Sequence, residues 1–359
     1  MTVVIFGLAI SSSWGNGHAT LWRGIIKELL KRNHEVIFYE RDVPYYASHR
    51  DYIPPKGLQL VLYSTWKEVE YRVKKSLKRA DAAIITSYCK NSQDAYNVIF
   101  NSDVKTKIFY DLDTPVTLNQ IIDGEWPEYI PSEKLSSFDL VLSYTGGDSV
   151  DGLKRLLGAK RVDTLYGCVD PDWHKPVEPH PDYISDLSYL GTYALDRHGG
   201  FKELFLRVSE EFPGGRFLAG GAQYPEDFEW KANISFAGHV PPPLHNVFYS
   251  SSKFTLNITR KEMVKCGYCP SARIFEAAAC RVPVISDSWS GIENFFEPIS
   301  EILIAKSFMD VIEMLQMDQA QRDKIAKCAQ ERVFDQHRAY HRAQKLENLI
   351  VSIQQKECV

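Results

Sequence analysis

The chain alternates short apolar runs with longer stretches whose apolar residues recur at helical spacing. In the first half the apolar runs are rich in Val, Ile, Phe and Tyr, as buried parallel strands are. They predict strands at Val3–Leu8, Glu35–Glu40, Leu58–Leu62, Ala82–Thr86, Lys107–Tyr110 and Phe138–Ser143. The stretches between them predict helices at Ala19–Lys31, Trp66–Lys78, Gln93–Phe100 and Ser149–Leu157. Strands that alternate with helices indicate a doubly wound parallel sheet.

The second half repeats this alternation without repeating the sequence. Strands are predicted at Asp186–Thr192, Gly215–Ala219, Ile234–Ala237, Lys253–Ile258, Val282–Ser286 and Glu301–Ile304. Helices are predicted at Phe201–Glu211, Leu244–Tyr249, Ala272–Cys280 and Phe308–Leu315, with a polar helical stretch from Gln319 to about Gln355. Between the halves, Gly167–Pro181 is rich in Pro and Asp and has no periodicity, as linkers are. The pattern therefore predicts two α/β domains.

Composition narrows the class of protein. A length of 359 residues is comfortable for two domains, and 44% hydrophobic with 25% charged residues is typical of globular proteins. The net charge of −4 lacks the excess of Lys and Arg that general nucleic-acid and anionic-membrane binders carry. The apolar start, Met1–Ile10, has no basic residue and is too short to span a bilayer. We therefore expect a cytoplasmic protein with no nucleic-acid partner and no integral membrane segment.

Cysteine usage agrees with a reducing compartment, because the count of seven is odd and the cysteines are spread thinly. Cys266 and Cys269 form a C-x-x-C pair. No second pair and no His-x-x-x-His partner accompanies it, so loop cysteines are favoured over a metal or redox site.

The stretch Cys269–Asp287 predicts a loop, a capped helix, a turn and a buried strand. Ser271 is placed to cap the helix with its hydroxyl. Arg273, in the first turn, is predicted to bind the donor as well. The free N–H groups and the positive end of the helix dipole suit an anion such as a diphosphate. Glu276 follows one turn in, where it can hold a ribose, or it is a solvent-facing glutamate.

Other candidates lie where neighbouring strands end. Arg197 can reach a diphosphate with a bidentate fork, or it is a solvated Arg at a helix start. Arg260 follows a buried strand and is interpreted either as a phosphate ligand or as surface charge. Gly238 permits the backbone to approach a flat ligand closely, and main-chain groups near His239 can then contact the edge of a base. The alternative is an ordinary turn between a strand and a helix.

The loop after the first strand, Ser11–His18, is small, polar and Gly-rich. Gly15 and Gly17 permit close contact with a sugar or an acceptor, although their spacing is a weak nucleotide signal. His18 can be a base, a hydrogen-bond donor to the sugar, or a cap for the helix that follows.

Two carboxylates, Asp111 and Asp113, end another strand. Asp113 is a candidate general base or hydroxyl ligand of an acceptor site, and an Asx-type turn before Pro115 is the alternative. The segment Glu40–Tyr46, after the second strand, either lines an acceptor cleft or pairs its own charges.

Taken together, the chain resembles the CgeB-type (spore maturation protein) branch of group 1 glycosyltransferases. The best matches are Pro270–Asp287 and Gly291–Phe296, and Ser12–Asp51 and Asp111–Leu118 also look like such proteins. The resemblance implies a GT-B architecture: two facing Rossmann-like doubly wound parallel-sheet domains with a cleft between them. It implies an acceptor domain over 1–167, a nucleotide-sugar donor domain over 168–335, and a C-terminal helix over 336–359 that crosses back to the first domain.

The resemblance further implies transfer of a sugar from a nucleoside diphosphate sugar to a small-molecule or glycan acceptor. It implies no metal and no cofactor beyond this donor, with retention of the anomeric configuration and domain closure that excludes water. Arg197, Arg260 and the helix N-terminus would stabilise the charge on the leaving diphosphate.

The chain departs from the family pattern at two positions. Many relatives carry two glutamates with seven residues between them; Glu276 matches the second, and Tyr268 stands at the first. The usual Gly before the Val-Pro strand is replaced by Arg281.

Two alternatives share the predicted fold, because fold alone does not fix function. One is a nucleotide-sugar epimerase, which would need acids and bases around the sugar. The other is a non-catalytic protein that binds nucleotide sugars, which Tyr268 makes more credible. The base, sugar, acceptor and oligomeric state are open at this stage.

Overall fold

In the computed structural model, which describes residues 1–356, the chain forms two units. The first comprises Met1–Tyr166 together with the helix that begins at Ala339, and the second comprises Gly167–Arg338. Each unit is built on its own parallel sheet.

The sheet of the first unit has the strand order β3-β2-β1-β4-β5-β6-β7, and every pairing is parallel. Almost every side chain of β1, β2, β4 and β5 is buried, because helices cover both faces. The strands are β1 (Thr2–Gly7), β2 (Glu35–Arg41), β3 (Leu58–Tyr63), β4 (Ala82–Thr86), β5 (Thr106–Asp111), β6 (Leu140–Ser143) and β7 (Val162–Thr164).

The helices of the first unit connect its strands. They are α1 (Gly17–Lys31), α2 (Pro44–Ala47), α3 (Trp66–Leu77), α4 (Ser92–Phe100), α5 (Thr114–Ile122) and α6 (Asp148–Leu157). The apolar stripe of α1 includes Leu21, Trp22, Ile25, Ile26 and Leu29, all buried at the helical repeat that the sequence shows.

The sheet of the second unit has the order β10-β9-β8-β11-β12-β13, again all parallel. Its strands are β8 (Ser185–Leu190), β9 (Phe217–Gly220), β10 (Ile234–Phe236), β11 (Ser252–Asn257), β12 (Val284–Ser286) and β13 (Leu303–Ile304). In both sheets the strand order reverses beside the first strand, so β1 with β4 and β8 with β11 mark the positions where such folds bind ligands.

The helices of the second unit start with a nearly continuous segment of α7 (Leu195–Phe201), a π-helical stretch (Lys202–Leu206) and α8 (Arg207–Glu211). They continue with α9 (His245–Ser250), α10 (Lys261–Cys266), α11 (Ala272–Ala279), α12 (Phe308–Leu315) and α13 (Gln319–Gln336). The last helix, α14 (Ala339–Lys356), packs on α1 in the first unit.

The predicted fold class, two doubly wound parallel sheets in an α/β chain, is confirmed. The predicted polar helical stretch from Gln319 to about Gln355 consists of two helices. Helix α13 ends at Gln336 and α14 starts at Ala339, because the main chain of Val169 bonds to His337 in a bridge at this point.

Within residues 1–356, no helix is long and apolar enough to cross a bilayer.

Candidate functional site

Two arginines lie at the carboxyl ends of β8 and β11 in the second unit. Arg273, in the first turn of α11, donates from Nη1 to the carbonyl of Leu190 at 2.8 Å and from Nη2 to the carbonyl of Ile258 at 3.3 Å. Arg197, in α7, donates from Nη2 to the carbonyl of Thr192. Both guanidinium groups are thus fixed at the edge of the sheet where its strand order reverses.

The positive charges in this arginine cluster are crowded. Burial lowers the pKa of Arg197, and the neighbouring charge of Arg273 lowers it further. Arg260 adds a third cation and also lowers the pKa of Arg197, while its Nε donates to Asp196 at 2.8 Å. An anion bound among these side chains would relieve their mutual repulsion.

The N-terminus of α11 adjoins the cluster. Ser271 occupies the N-cap position, but the predicted capping bond is wrong: its hydroxyl accepts from Nε of Arg273 at 3.0 Å, and no side chain caps the helix. Arginine competes for the hydroxyl because it is two residues away and already held at the sheet edge. The first-turn N–H groups therefore lack a side-chain cap, as suits an anion site.

Glu276 lies one turn further along α11 and is only 6% exposed, which excludes the solvent-facing alternative. Its Oε2 lies 3.3 Å from Nδ1 of His245. Burial raises the pKa of Glu276, but the hydrogen bond to His245 and the nearby charges of His245, His174 and Arg273 outweigh it, so the pKa lies below its usual value. Glu276 is thus a buried carboxylate that stays ionised at neutral pH.

The main chain that follows β10 forms a tight turn. Gly238 has a φ of +64°, in the region that favours glycine, and its carbonyl accepts from the amide of Gly221 at 2.7 Å. A Cβ on Gly221 would lie 2.0 Å from the carbonyl oxygen of Gly191, so the backbones of the two loops touch. His239 is half-buried within the same turn.

The two departures from the family pattern have local structural consequences. Tyr268 takes a φ of +48°, its amide donates to the carbonyl of Ser290 at 2.7 Å, and its ring lies against Gly291. Arg281 has a φ of +59° just after α11, where its amide bonds to the carbonyl of Ala278 at 2.9 Å. This is the left-handed position that ends many helices, and a glycine would occupy it without strain.

In the first unit, the loop after β1 is held by two acidic side chains. Glu40 accepts from the amides of Ile10 at 2.7 Å and Ser11 at 3.0 Å, and also from the Ser11 hydroxyl. Asp51 accepts from the amide and the hydroxyl of Ser13. The carboxylate of Glu40 thus orders the loop, whereas both sequence interpretations gave it another role.

His18 and Asp113 come together at the carboxyl ends of β1 and β5. His18 Nε2 lies 3.1 Å from Oδ2 of Asp113, and Nδ1 of His18 is buried with no hydrogen-bond partner within residues 1–356. The cap of α1 is Asn16, whose side chain accepts from the amide of His18 at 3.1 Å, so His18 is not the cap. Gly15 has a φ of +59° in the loop, and Gly17 begins the helix.

Asp113 also lies at the start of a helix, α5, that the sequence did not predict, and its side chain makes no capping bond there. It occupies the N-cap position of α5, and its amide donates to Oδ1 of Asp111 at 3.1 Å, as in the Asx-type turn. Asp111 itself is fully buried. Burial raises the pKa of Asp111 to about 7, although hydrogen bonds from Thr117 and the Asp113 amide act in the opposite direction.

This pKa predicts a pH-dependent stability for the first unit. Between the usual pKa of 3.8 and about 7, the unfolded chain has lost the proton that folded Asp111 retains, so stability falls as pH rises. Asp111→Asn cannot ionise and keeps the acceptor for Asp113. We expect its stability relative to wild type to rise by about 4 kcal/mol from pH 4 to pH 8. Urea denaturation, with hydrogen exchange of the β5 amides, measures this.

The matched control is Asp123→Asn, which changes an exposed carboxylate at the end of α5. It should leave the pH dependence unaltered. Parallel pH profiles for Asp111→Asn and wild type would contradict the assigned pKa.

Within residues 1–356 no group of three or more His, Cys, Asp or Glu side chains could hold a metal ion. Cys266 and Cys269 are not joined in a disulfide.

The structure brings together several of the predicted residues in each unit. In the second unit Arg197, Arg260, Ser271, Arg273 and Glu276 lie near one sheet edge, and Gly238 with His239 forms the turn after β10. Sequence reasoning missed His245, and it gave Glu40 a role other than ordering the loop after β1.

Residues 197–348 match the family model described as Glycosyl transferase-like. No curated protein sequence matches the chain.

Solved structures resemble the chain over nearly its whole length. Sucrose-phosphate synthase (tll1590) from Thermosynechococcus elongatus aligns with a TM-score of 0.69 at 13% identity, covering 98% of this chain and 99% of that one. Anabaena Alr3699/HepE in complex with UDP-glucose aligns at 0.66 and 12%, covering 98% and 100%. An alpha-glucosyltransferase (AGT) in complex with UDP aligns at 0.72 and 13%, covering 98% and 100%.

These likenesses show that the two parallel-sheet units form the GT-B fold, as predicted. The match of residues 197–348 to this family model agrees with the predicted enzyme class, a glycosyltransferase.

Proposed function

We propose that the protein transfers a hexose from a nucleoside diphosphate sugar to an acceptor, as a metal-independent, retaining glycosyltransferase of the CgeB type in the cytoplasm. The acceptor domain is residues 1–167, the donor domain is residues 168–335, and the C-terminal segment 336–359 belongs with the first. The observation that carries the proposal is the crowded cluster of Arg197, Arg273 and Arg260 beside the uncapped N-terminus of α11.

Three groups of residues bind the three parts of the donor: the diphosphate, the ribose and the base. Arg197, Arg260 and Arg273, with the first-turn amides of α11, hold the diphosphate. Glu276 accepts hydrogen bonds from ribose hydroxyls, which its low pKa favours because an ionised carboxylate is the stronger acceptor. The turn of Gly238 and His239 meets the base with main-chain groups. Because complexes of the similar structures contain UDP or UDP-glucose, a uridine diphosphate sugar is the first donor to test.

The chemistry follows from these positions. The bond between the sugar C1 and the oxygen of the β-phosphate breaks, and an acceptor oxygen forms the new bond to C1. Negative charge then grows on the leaving diphosphate, where fixed guanidinium groups stabilise it without reorganising. No metal is needed for this charge stabilisation.

The acceptor side belongs to the first unit. Asp113 orients His18 through Nε2, which leaves Nδ1 to take a proton from the acceptor hydroxyl. Gly15 and Gly17 permit the acceptor or the sugar to approach the loop.

Replacement of His18 by phenylalanine tests this role. We expect turnover to fall about 100-fold, since general base catalysis is worth that much or more, while the Kd for the nucleoside diphosphate stays unchanged. Rates of nucleoside diphosphate release and calorimetric titration give the two values. His49→Phe, which alters an exposed histidine of the same unit, is the control. Full turnover in His18→Phe would remove His18 from the mechanism.

The proposed reaction is tested by nucleoside diphosphate release over a panel of acceptors, in the presence of a metal chelator. Release that requires an acceptor, with the sugar recovered on it, supports the transferase and argues against an epimerase. Binding of the donor with no release over the whole panel would instead indicate a non-catalytic binding protein. The anomeric configuration of the product, measured by NMR, tests retention.

A further inference from the structure

His245, the first residue of α9, lies between two groups that the proposed donor site uses. Its Nδ1 is 3.3 Å from Oε2 of Glu276, and its Nε2 is 3.2 Å from the carbonyl oxygen of Val240. Val240 is buried and follows the turn of Gly238 and His239. One imidazole ring therefore bridges the carboxylate assigned to the ribose and the loop assigned to the base.

Both ring nitrogens of His245 face acceptors. The doubly protonated ring donates to both, whereas either neutral tautomer donates to one and leaves the other unpaired. Within residues 1–356, His245 is the side chain that forms a hydrogen bond with the carboxylate of Glu276. The position of that carboxylate is thus tied to the position of the Val240 carbonyl.

The neighbouring histidine does not compete for this role. His174 is buried, its Nδ1 accepts from the amide of Asp170 at 3.1 Å, and burial lowers its pKa. His174 therefore favours the neutral form, and the direct partner of Glu276 is His245. The pair is packed among buried groups, including Tyr249 and Cys280 of the same unit.

We propose that His245 is a positioning residue that couples recognition of the base to recognition of the ribose. This inference rests on the proposed donor site. A base that binds against the 238–240 turn fixes the position of the Val240 carbonyl. Because His245 contacts both groups, the position of the Glu276 carboxylate is then fixed as well. A wrong base displaces the carbonyl, and the carboxylate then meets the ribose hydroxyls poorly.

Two amide variants separate the halves of the bridge. The Nδ2 atom of Asn matches the position of Nδ1 in His, and Nε2 of Gln matches Nε2 in His. His245→Asn thus keeps the donor to Glu276 and loses the donor to Val240, while His245→Gln does the reverse. His245→Phe keeps the ring and loses both. His180→Phe, at an exposed histidine of the same unit, is the matched control.

The readout is a pair of Kd ratios measured by calorimetry on the full chain. The ribose ratio compares 2′,3′-dideoxyuridine diphosphate with uridine diphosphate, and the base ratio compares adenosine diphosphate with uridine diphosphate. Loss of a charge-assisted hydrogen bond changes affinity by about tenfold or more. We expect His245→Phe to lower both ratios about tenfold, His245→Asn to lower the base ratio alone, and His245→Gln to lower the ribose ratio alone.

A merely structural role would not produce this division, because both probes in a ratio bind the same folded fraction. The inference is overturned if Glu276→Gln binds the two nucleotides of the ribose ratio equally, while all three His245 variants keep both wild-type ratios. In that outcome the proposed donor site stands. If the wild-type protein binds none of the three nucleotides, the donor site and the inference both fail.

Discussion

Replacing Arg197 by methionine should lower the rate of nucleoside diphosphate release about 100- to 1000-fold, while the second unit becomes no less stable. The loss of rate follows from the fixed positive charge that the leaving diphosphate would no longer meet. The stability result follows from the crowding of cations in the unliganded protein. Because folding lowers the pKa of Arg197, its charge costs folding free energy at every pH where the guanidinium is protonated, including pH 7.

The variant also loses the hydrogen bond from Arg197 to the carbonyl of Thr192, which is worth about 1 kcal/mol and offsets part of the gain. Rates with water or an acceptor as the recipient of the sugar, together with thermal unfolding, measure both effects. Arg216→Met, at an exposed arginine beside the amino end of β9, is the control and should change neither rate nor binding. A normal rate in Arg197→Met, or a large loss of stability with no other change, would show that Arg197 is a structural residue.

The second large effect is expected for Glu276→Ala. Affinity for the nucleoside diphosphate should fall about 150-fold or more, because two hydroxyls lose a charged acceptor and each such bond contributes about 1.5 kcal/mol or more. The removed carboxylate also leaves Nδ1 of His245 without its hydrogen-bond partner. Calorimetric titration gives the affinity directly.

The pH dependence of folding stability is a second measurable effect of Glu276. Because folding lowers the pKa of Glu276, this residue contributes stability that is present above its usual pKa of 4.5 and is lost as pH falls through the lower folded value. Glu276→Ala should lack that contribution near neutral pH. Glu313→Ala removes an exposed helix carboxylate of the same unit and should leave the affinity intact. Equal affinities in the wild type and Glu276→Ala would place the ribose elsewhere.

The alternation of buried strands and amphipathic helices made the fold predictable. Long apolar runs such as β4 (Ala82–Thr86) were located to the residue, because parallel strands that are buried on both faces leave a continuous apolar signal. Short elements were missed: β7 (Val162–Thr164) is half-buried, and α10 (Lys261–Cys266) has no buried residue, so neither carries a periodic pattern.

Part of the candidate site was also visible in sequence, since parallel sheets gather the residues after their strands at one edge. This argument located Arg197, Glu276, His18 and Asp113. It could not locate His245, whose role comes from a contact with a helix 31 residues away. The same holds for Glu40, whose partners lie on the loop after β1 and are fixed only when the strands pair.

Competition between hydrogen-bond partners also limited what the sequence could predict. Ser271 has the residue type and the position of a helix cap, but the guanidinium of Arg273 takes its hydroxyl. Arg281 likewise adopts a glycine-like backbone conformation, because the last turn of α11 closes through the amides of residues 281 and 282. Only the packed structure decides such outcomes.

The most direct test of the central claim is thermal unfolding of the full chain with a panel of nucleoside diphosphates and their sugars, in a metal chelator. A ligand at 100 times its Kd should stabilise the protein by about 2.7 kcal/mol, which raises the melting temperature by several degrees. We predict this shift for one nucleotide, led by uridine diphosphate, and its loss in both Arg197→Met and Glu276→Ala. No shift with any member of the panel would contradict the account.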